Sequence, residues 1–303
     1  MTHDALDSYD PIAQRRYLYA REAAEDGDFA AAAEILEQTI ELAPYWAPAW
    51  FALGEAREKL GDEKGAADAF RGALRLDPSD AQGAGPRIAL FGKTAASALP
   101  PAYVSRLFDD YAPRFDAHLT TGLAYRGPEL ILAALDRLAS TRRFNRAFDL
   151  GCGTGLMGAA LRGRVEKLVG VDLSPKMIEK ARVSGRYDAL EVGDVVEFLS
   201  SAAAPGADLI VAADVLVYLG DLDPLFGGIT RVLAPNGLFA FTVEAGEGAE
   251  YRLRPTMRFA HSESYLRAAA ARAGLVPEVI QAVATRREAG GEVAGWIAVF
   301  RLP

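Results

Sequence analysis

Cysteine is almost missing from this chain of 303 residues: the single thiol, Cys152, can build neither an internal disulfide nor a thiolate-rich metal site. That scarcity fits a reducing compartment, and the expected location is cytoplasmic. Histidine is nearly as rare, with His3, His118 and His261 the three present, and no His/Cys/carboxylate grouping suggests a metal. No window approaches the roughly 20 uninterrupted apolar residues that would span a bilayer. Met1 to Asp10 carries acids and no apolar segment, which argues against a secretory signal. Cationic charge is in deficit too. Lys and Arg number 33 against 41 Asp and Glu, a net charge of −8, and such a field repels phosphate backbones and anionic lipid. Nucleic acid and membrane surfaces are therefore not the expected partners.

What the chain does have is apolar residues, half of the total, enough for one α/β core and a smaller unit. Up to about Leu90 the sequence is rich in Ala, Glu and Arg, with apolar residues at helical spacing. A repeat of 34 residues brings Gly27-Asp28 onto Gly61-Asp62, Ala32 onto Ala66, Leu36 onto Phe70 and Pro44 onto Pro78. Trp50, Leu53-Gly54, Gly61, Ala66, Phe70, Ala73 and Pro78 stand at intervals that resemble the tetratricopeptide repeat. In the first copy Arg16, Tyr19 and Ala20 replace the usual Trp, Leu and Gly, and the segment Asp80 to Phe91 is the candidate capping helix. The small-residue stretch from Lys93 to Pro101, ending in two prolines, marks a boundary. The expected domains are residues 1–95, all helical, and residues 96–303.

Beyond Leu138 short apolar strands alternate with helices. The strands read as Arg146 to Leu150, Leu168 to Asp172, Asp188 to Val192, Asp208 to Ala213, Gly237 to Glu244, Val276 to Val283 and Trp296 to Leu302. Such alternation implies an α/β fold with a parallel sheet, because each crossover helix returns the chain to the same edge. The last two strands are joined by a glycine-rich turn at residues 288–292, which makes only an antiparallel hairpin.

Chemistry concentrates in Ala147-Phe-Asp149-Leu-Gly151-Cys-Gly153-Thr-Gly155, a strand ending in an acid and three alternate glycines before a helix. Glycines there let the backbone turn tightly and approach a ligand closely. Asp172 closes the next strand, where a carboxylate can grip both hydroxyls of a ribose. Gly153-Thr-Gly155-Leu-Met-Gly158 also satisfies the dinucleotide-binding spacing. Three features favour another ligand. Asp149 would repel a pyrophosphate but attract an α-ammonium group, Asp194 follows the third strand where an adenine amino group could bind, and the sheet ends in an antiparallel hairpin.

From about Pro100 onward the chain resembles class I S-adenosylmethionine-dependent methyltransferases. The resemblance rests on Asp149 to Gly155, Val171-Asp172-Leu-Ser-Pro175, Gly193-Asp194, Ala213-Asp214-Val-Leu and the Pro235-Asn236-Gly237 turn. The repeats, together with Leu107-Phe-Asp-Asp-Tyr111-Ala-Pro-Arg-Phe115-Asp-Ala-His118, are similar to predicted tetratricopeptide-containing methyltransferases. The resemblance implies a Rossmann-like, seven-stranded sheet with an antiparallel last strand, S-adenosyl-L-methionine as cofactor and S-adenosyl-L-homocysteine as product. It implies that Gly151 and Gly153 border the methionine and ribose, that Asp149 holds the ammonium and Asp172 with Leu173 the ribose, and that Asp194 with Val195 reads adenine. Met177 would lie on the adenine face, or simply fill core. Tyr111 and Phe115 would close over the cofactor from a helical lid, and Asp214 would stand near the methyl group.

Methyl transfer needs alignment and exclusion of water rather than a nucleophilic side chain. A base assists when the acceptor is a hydroxyl or a protonated amine, and His261, His118 and Tyr218 are the candidates. Arg252, Arg254 and Arg258, with Arg286 and Arg287 further on, could grip an anionic acceptor. The leading expectation is a small-molecule acceptor, anionic if those arginines face it. The alternatives are a peptide acceptor docked by the repeats and a non-catalytic cofactor-binding interaction protein. The fourth strand lacks the Asn/Asp-Pro-Pro-aromatic turn of enzymes that methylate a flipped base.

Overall fold

The computed structural model describes residues 10–92, 96–117, 124–288 and 291–303. The chain forms two compact units that divide between Ala96 and Ser97.

The first unit is helical: α1 (Pro11–Glu25), α2 (Phe29–Leu42), α3 (Ala47–Lys59), α4 (Glu63–Leu76) and α5 (Ala84–Gly92). The repeated Gly-Asp pair explains both helical hairpins. Gly27 and Gly61 take left-handed φ values of 83° and 78° that end one helix. Asp28 and Asp62 then cap the next, accepting from the N–H groups of Ala31 and Gly65. Close packing depends on small residues. A Cβ on Gly54 would stand 2.5 Å from the ring of Phe70, and one on Gly72 would stand 2.4 Å from Trp50. The degraded first copy still folds, because Ala20, at the position of Gly54, is small enough to be fully buried. α5 covers the open end, with Phe91 stacked on Phe70 at 6.2 Å.

The second unit is built on one sheet of nine strands. β1 (Phe144–Leu150), β2 (Val165–Asp172), β3 (Ala189–Val192), β4 (Ala207–Ala212) and β5 (Leu233–Ala245) run parallel in the order β3-β2-β1-β4-β5. β9 (Gly291–Arg301) lies antiparallel to β5, and β8 (Val276–Glu288) pairs with β9 as the outer strand of the final hairpin. The short hairpin of β6 (Tyr251–Leu253) and β7 (Phe259–His261) was not anticipated, since strands of three residues carry no periodicity. β7 extends the carboxyl end of β5, pairing Glu244 with Ala260 and Ala245 with His261.

Helices cover both faces. α8 (Gly127–Ala139) and α9 (Leu156–Ala160) pack around Ile131, Leu135 and Met157. α11 (Val195–Ser201), α12 (Asp223–Val232) and α13 (Glu263–Arg272) cover the other face. There Phe226, Phe239, Phe241 and Phe300 meet at centroid distances from 4.6 to 5.8 Å. α10 (Pro175–Ser184) follows β2 and is capped by Ser174, whose hydroxyl accepts from Met177 N–H. α6 (Pro101–Tyr111) and the short turn α7 (Phe115–Ala117) stand above the carboxyl ends of the strands. In an open α/β sheet that end is where ligands collect.

Candidate functional site

The strand ends and α6 enclose a cavity of about 730 Å³. Its floor is the turn after β1. Gly151 and Gly153 adopt left-handed φ values of 66° and 54°, which L side chains rarely take. A Cβ on Gly151 would also stand 2.3 Å from Val215 Cγ2. Asp172 ties this turn to the loop after β2: Oδ2 accepts from Gly153 N at 2.8 Å and Oδ1 from Ser174 N at 2.9 Å. Each oxygen keeps further accepting capacity. Burial outweighs those two bonds and pushes the Asp172 carboxyl up to about 6.

Asp149 is buried under the same turn. Oδ2 accepts from Tyr187 Oη at 2.7 Å, whereas Oδ1 has no partner. Burial, only partly offset by the Tyr187 bond, pushes Asp149 up to about 7. A dry carboxylate with an unused oxygen beside a cavity is costly unless a cation answers it. Further along, Asp194 caps α11 by accepting from Val196 N at 2.8 Å and Glu197 N at 3.2 Å, and it lines the cavity with Val195 and Leu173.

α6 and the α7 turn are fastened over this floor by polar bonds. Ser105 Oγ donates to the Leu173 carbonyl at 2.9 Å, Ser174 Oγ to Asp109 Oδ1 at 2.6 Å, and Thr154 Oγ1 to Asp116 Oδ1 at 2.5 Å. Tyr111 ends the helix and Phe115 follows a tight turn, yet their rings still meet at 5.2 Å. Both face the cavity, as do Asp214 and Tyr218 after β4.

Several expected residues stand elsewhere. Met177 is fully buried and is not on the cavity wall, in keeping with its alternative reading as core. His261 lies in β7, fully buried and off the wall, so the expected base there is corrected. Its Nε2 donates to the Gly220 carbonyl at 3.1 Å, and burial pulls its pKa down to about 4 despite that bond. Arg252 is exposed, and Arg254 turns away to Glu244, at 3.0 Å, and to the Ala245 carbonyl. Neither belongs to the wall, whereas Arg258 does. His118 lies outside the described residues. Burial raises Tyr218 to about 12 although Arg258 opposes it, so its hydroxyl stays protonated at neutral pH and cannot serve as the expected base.

Sequence reasoning did not find Tyr125, Tyr187, Glu244 or Glu288. Glu244 had a usable signal, an acid closing an apolar strand like Asp149 and Asp172. Tyr125 and Tyr187 had none, since long-range packing alone brings them in.

Against known proteins, residues 148–241 match a methyltransferase domain and residues 47–80 a tetratricopeptide repeat. Residues 148–241 thus carry a methyltransferase domain, and tetratricopeptide-type helices stand ahead of it. It is 28% identical over 166 residues to a ubiquinone biosynthesis O-methyltransferase of Bordetella avium, covering 49% of this chain and 69% of that protein. It is 34% identical over 152 residues to a malonyl-(acyl-carrier protein) O-methyltransferase of Methylovorus, covering 46% of this chain and 49% of the relative. A 1,6-didemethyltoxoflavin N1-methyltransferase of Burkholderia thailandensis, solved with its substrate and S-adenosylhomocysteine, shares the fold. That likeness has a TM-score of 0.53 at 19% identity and covers 69% of this chain and 92% of the other. Among the described residues no helix is long and apolar enough to cross a membrane.

Proposed function

We propose that the chain methylates a small-molecule acceptor within this cavity, using S-adenosylmethionine bound over the β1 turn. The observation that carries the reading is Asp149 Oδ1, buried at the cavity floor with no partner. The α-ammonium of an amino-acid nucleoside would answer it, where a dinucleotide's pyrophosphate would meet a carboxylate head-on. The wall as a whole carries six carboxylates and three guanidinium groups, which likewise suits a cationic ligand.

The cofactor supplies a methyl group already activated on a sulfonium. The chain's part is placement. Gly151 and Gly153 keep the floor free of side chains, Asp172 takes ribose hydroxyls with its remaining lone pairs, and Asp194 and Val195 border the adenine. Tyr111 from α6 and Phe115 from α7 cover the cofactor and exclude water. The two relatives described above are named as O-methyltransferases, which supports oxygen as the atom methylated.

A peptide acceptor docked by the N-terminal helices is a second reading, favoured by the repeat match at 47–80. Turnover of a free small molecule by the full chain with no protein present would count for the first. The central test is titration calorimetry. Wild-type chain should bind S-adenosylhomocysteine, with an affinity that Asp149→Asn lowers about a hundredfold, the size of a lost buried charge pair. Binding of a nicotinamide coenzyme in its place would overturn the assignment.

A further inference from the structure

Away from Asp149, the cavity ends in a charge network drawn from four elements, buried at Arg286 and Glu244 and reaching the surface at Glu288. Arg286, 2% exposed, donates to Glu244, and its Nη1 stands 3.3 Å from both oxygens of Asp214. Its Nε stands 3.2 Å from Glu288. Arg258 Nη1 reaches Glu288 at 2.9 Å, and its guanidinium lies beside the Tyr218 hydroxyl. Two guanidinium groups are thus met by three carboxylates, and both are committed to them. An incoming carboxylate or phosphate would have to displace those partners.

The facing wall is aromatic. Phe108 stands edge-on to Tyr218 at 5.5 Å and to Phe115 at 6.1 Å, with Leu99 and Tyr125 beside them. Such a wall suits a flat ring.

Resting on the methyl-transfer reading, we infer that the acceptor is a neutral, flat molecule with a phenol-like hydroxyl, and that Asp214 receives the hydroxyl proton. Asp214 is built to stay in place. Its φ is 62°, a left-handed value that Asp tolerates better than most residues, and its N–H donates to Thr242 Oγ1 at 2.9 Å. The groups that face it are Arg286, Arg258, Glu244, Glu288, Tyr125 and Tyr218. Burial raises its carboxyl despite the two arginines, which makes it a better proton acceptor. With the Arg258 guanidinium beside its oxygen, the Tyr218 O–H is free to donate to the acceptor. In the transfer, the acceptor oxygen's lone pair forms the new bond to the methyl carbon. The carbon–sulfur bond breaks with its electron pair going to sulfur, and the hydroxyl proton passes to Asp214 and then to solvent. The products are a methyl ether and S-adenosylhomocysteine.

The test uses the full chain saturated with S-adenosylhomocysteine, titrated calorimetrically at neutral pH with 2-naphthol or with 2-naphthoate. The neutral phenol should bind at least about tenfold more tightly than the anion, since Asp214 and its neighbours repel a second carboxylate. Asp214→Asn, which keeps the left-handed backbone, should narrow that ratio to about threefold or less by removing the repelling charge. Naphthoate binding as tightly as naphthol overturns the inference, as does a ratio unchanged in Asp214→Asn. So does the absence of heat from either probe in a chain that binds S-adenosylhomocysteine, and in that case the cofactor assignment survives. If S-adenosylhomocysteine itself gives no heat, the methyl-transfer reading falls and takes the inference with it.

Discussion

The two ends of the cavity are made differently. The floor comes from two short stretches, Asp149 to Gly155 and Asp172 to Ser174, tied together by the Asp172 carboxylate, which accepts from the Gly153 and Ser174 N–H groups. The far end is assembled by Asp214 after β4, Glu244 in β5, Arg258 before β7 and Arg286 with Glu288 in β8. At the floor a carboxylate waits without a cation, whereas at the far end cations and carboxylates already satisfy each other. An unanswered charge calls for a charged ligand, and an answered network suits a neutral one. The difference predicts that loss of a guanidinium at the far end reads out mainly in folding, and loss of Asp149 at the floor mainly in cofactor binding.

The largest expected effect tests the wall. Arg286→Ala would strand Asp214 and leave Glu244 only the partly exposed Arg254 and the more distant Arg258, and breaking one side of a buried ion pair typically costs about 3–5 kcal/mol. Chemical denaturation of the variant should show a loss in that range. A loss below about 1 kcal/mol, the size of an exposed pair, would mean that the network is solvated and that the contrast between the two ends is false.

Asp149→Asn probes the floor in the opposite sense. Alongside its weakened cofactor binding, the variant should be more stable than wild type at pH 8 without ligand. Asp149 holds its proton up to about 7 in the fold against an ordinary value of 3.8. The protonated form therefore contributes stability below about pH 4 that is lost as pH rises through 7, where the wild-type carboxylate ionises in a dry site. Asn keeps an oxygen for Tyr187 and carries no charge. The gain in melting temperature should shrink towards zero near pH 4, and a variant less stable than wild type at pH 8 would contradict the assignment of an unanswered charge.

The same titration governs binding in wild type. A cationic ligand favours ionised Asp149, so affinity for S-adenosylhomocysteine should fall by up to about tenfold for each pH unit below 7. In Asp149→Asn that slope should flatten, leaving the smaller contribution of Asp172, which titrates near 6.

The contrast also explains what was legible in the sequence. The floor is a local object: an apolar strand, an acid, glycines with positive φ and a capping Ser174 all lie within short spans, so the sequence pattern already grouped Asp149, Gly151, Gly153 and Asp172, which the fold brings to one cavity. The parallel sheet and final hairpin were legible for the same reason, through apolar runs and a glycine-rich turn. The far end has no span of its own. Arg254, Arg258 and His261 are neighbours in sequence, but the β6–β7 hairpin points them to different partners, and only Arg258 reaches the cavity. His261 drew notice as a rare titratable residue, yet β7 buries it against Tyr251 and Tyr265 and ties it to Gly220. Nothing in one stretch of sequence distinguishes those outcomes, because register between distant strands decides them.

Arg254 gives the smallest effect and the sharpest check on that separation. It is 38% exposed and pairs with Glu244 from outside the cavity wall. Glu244 keeps Arg286 as its buried partner when Arg254 is removed. Arg254→Ala should therefore cost no more than about 1 kcal/mol in folding, as for other solvent-accessible pairs. The Michaelis constant for the acceptor should stay within about twofold of wild type, since a pair outside the wall makes no contact that distinguishes bound from free acceptor. A rise of tenfold or more with kcat unchanged would place Arg254 against the acceptor and restore the anionic grip expected from the arginine cluster.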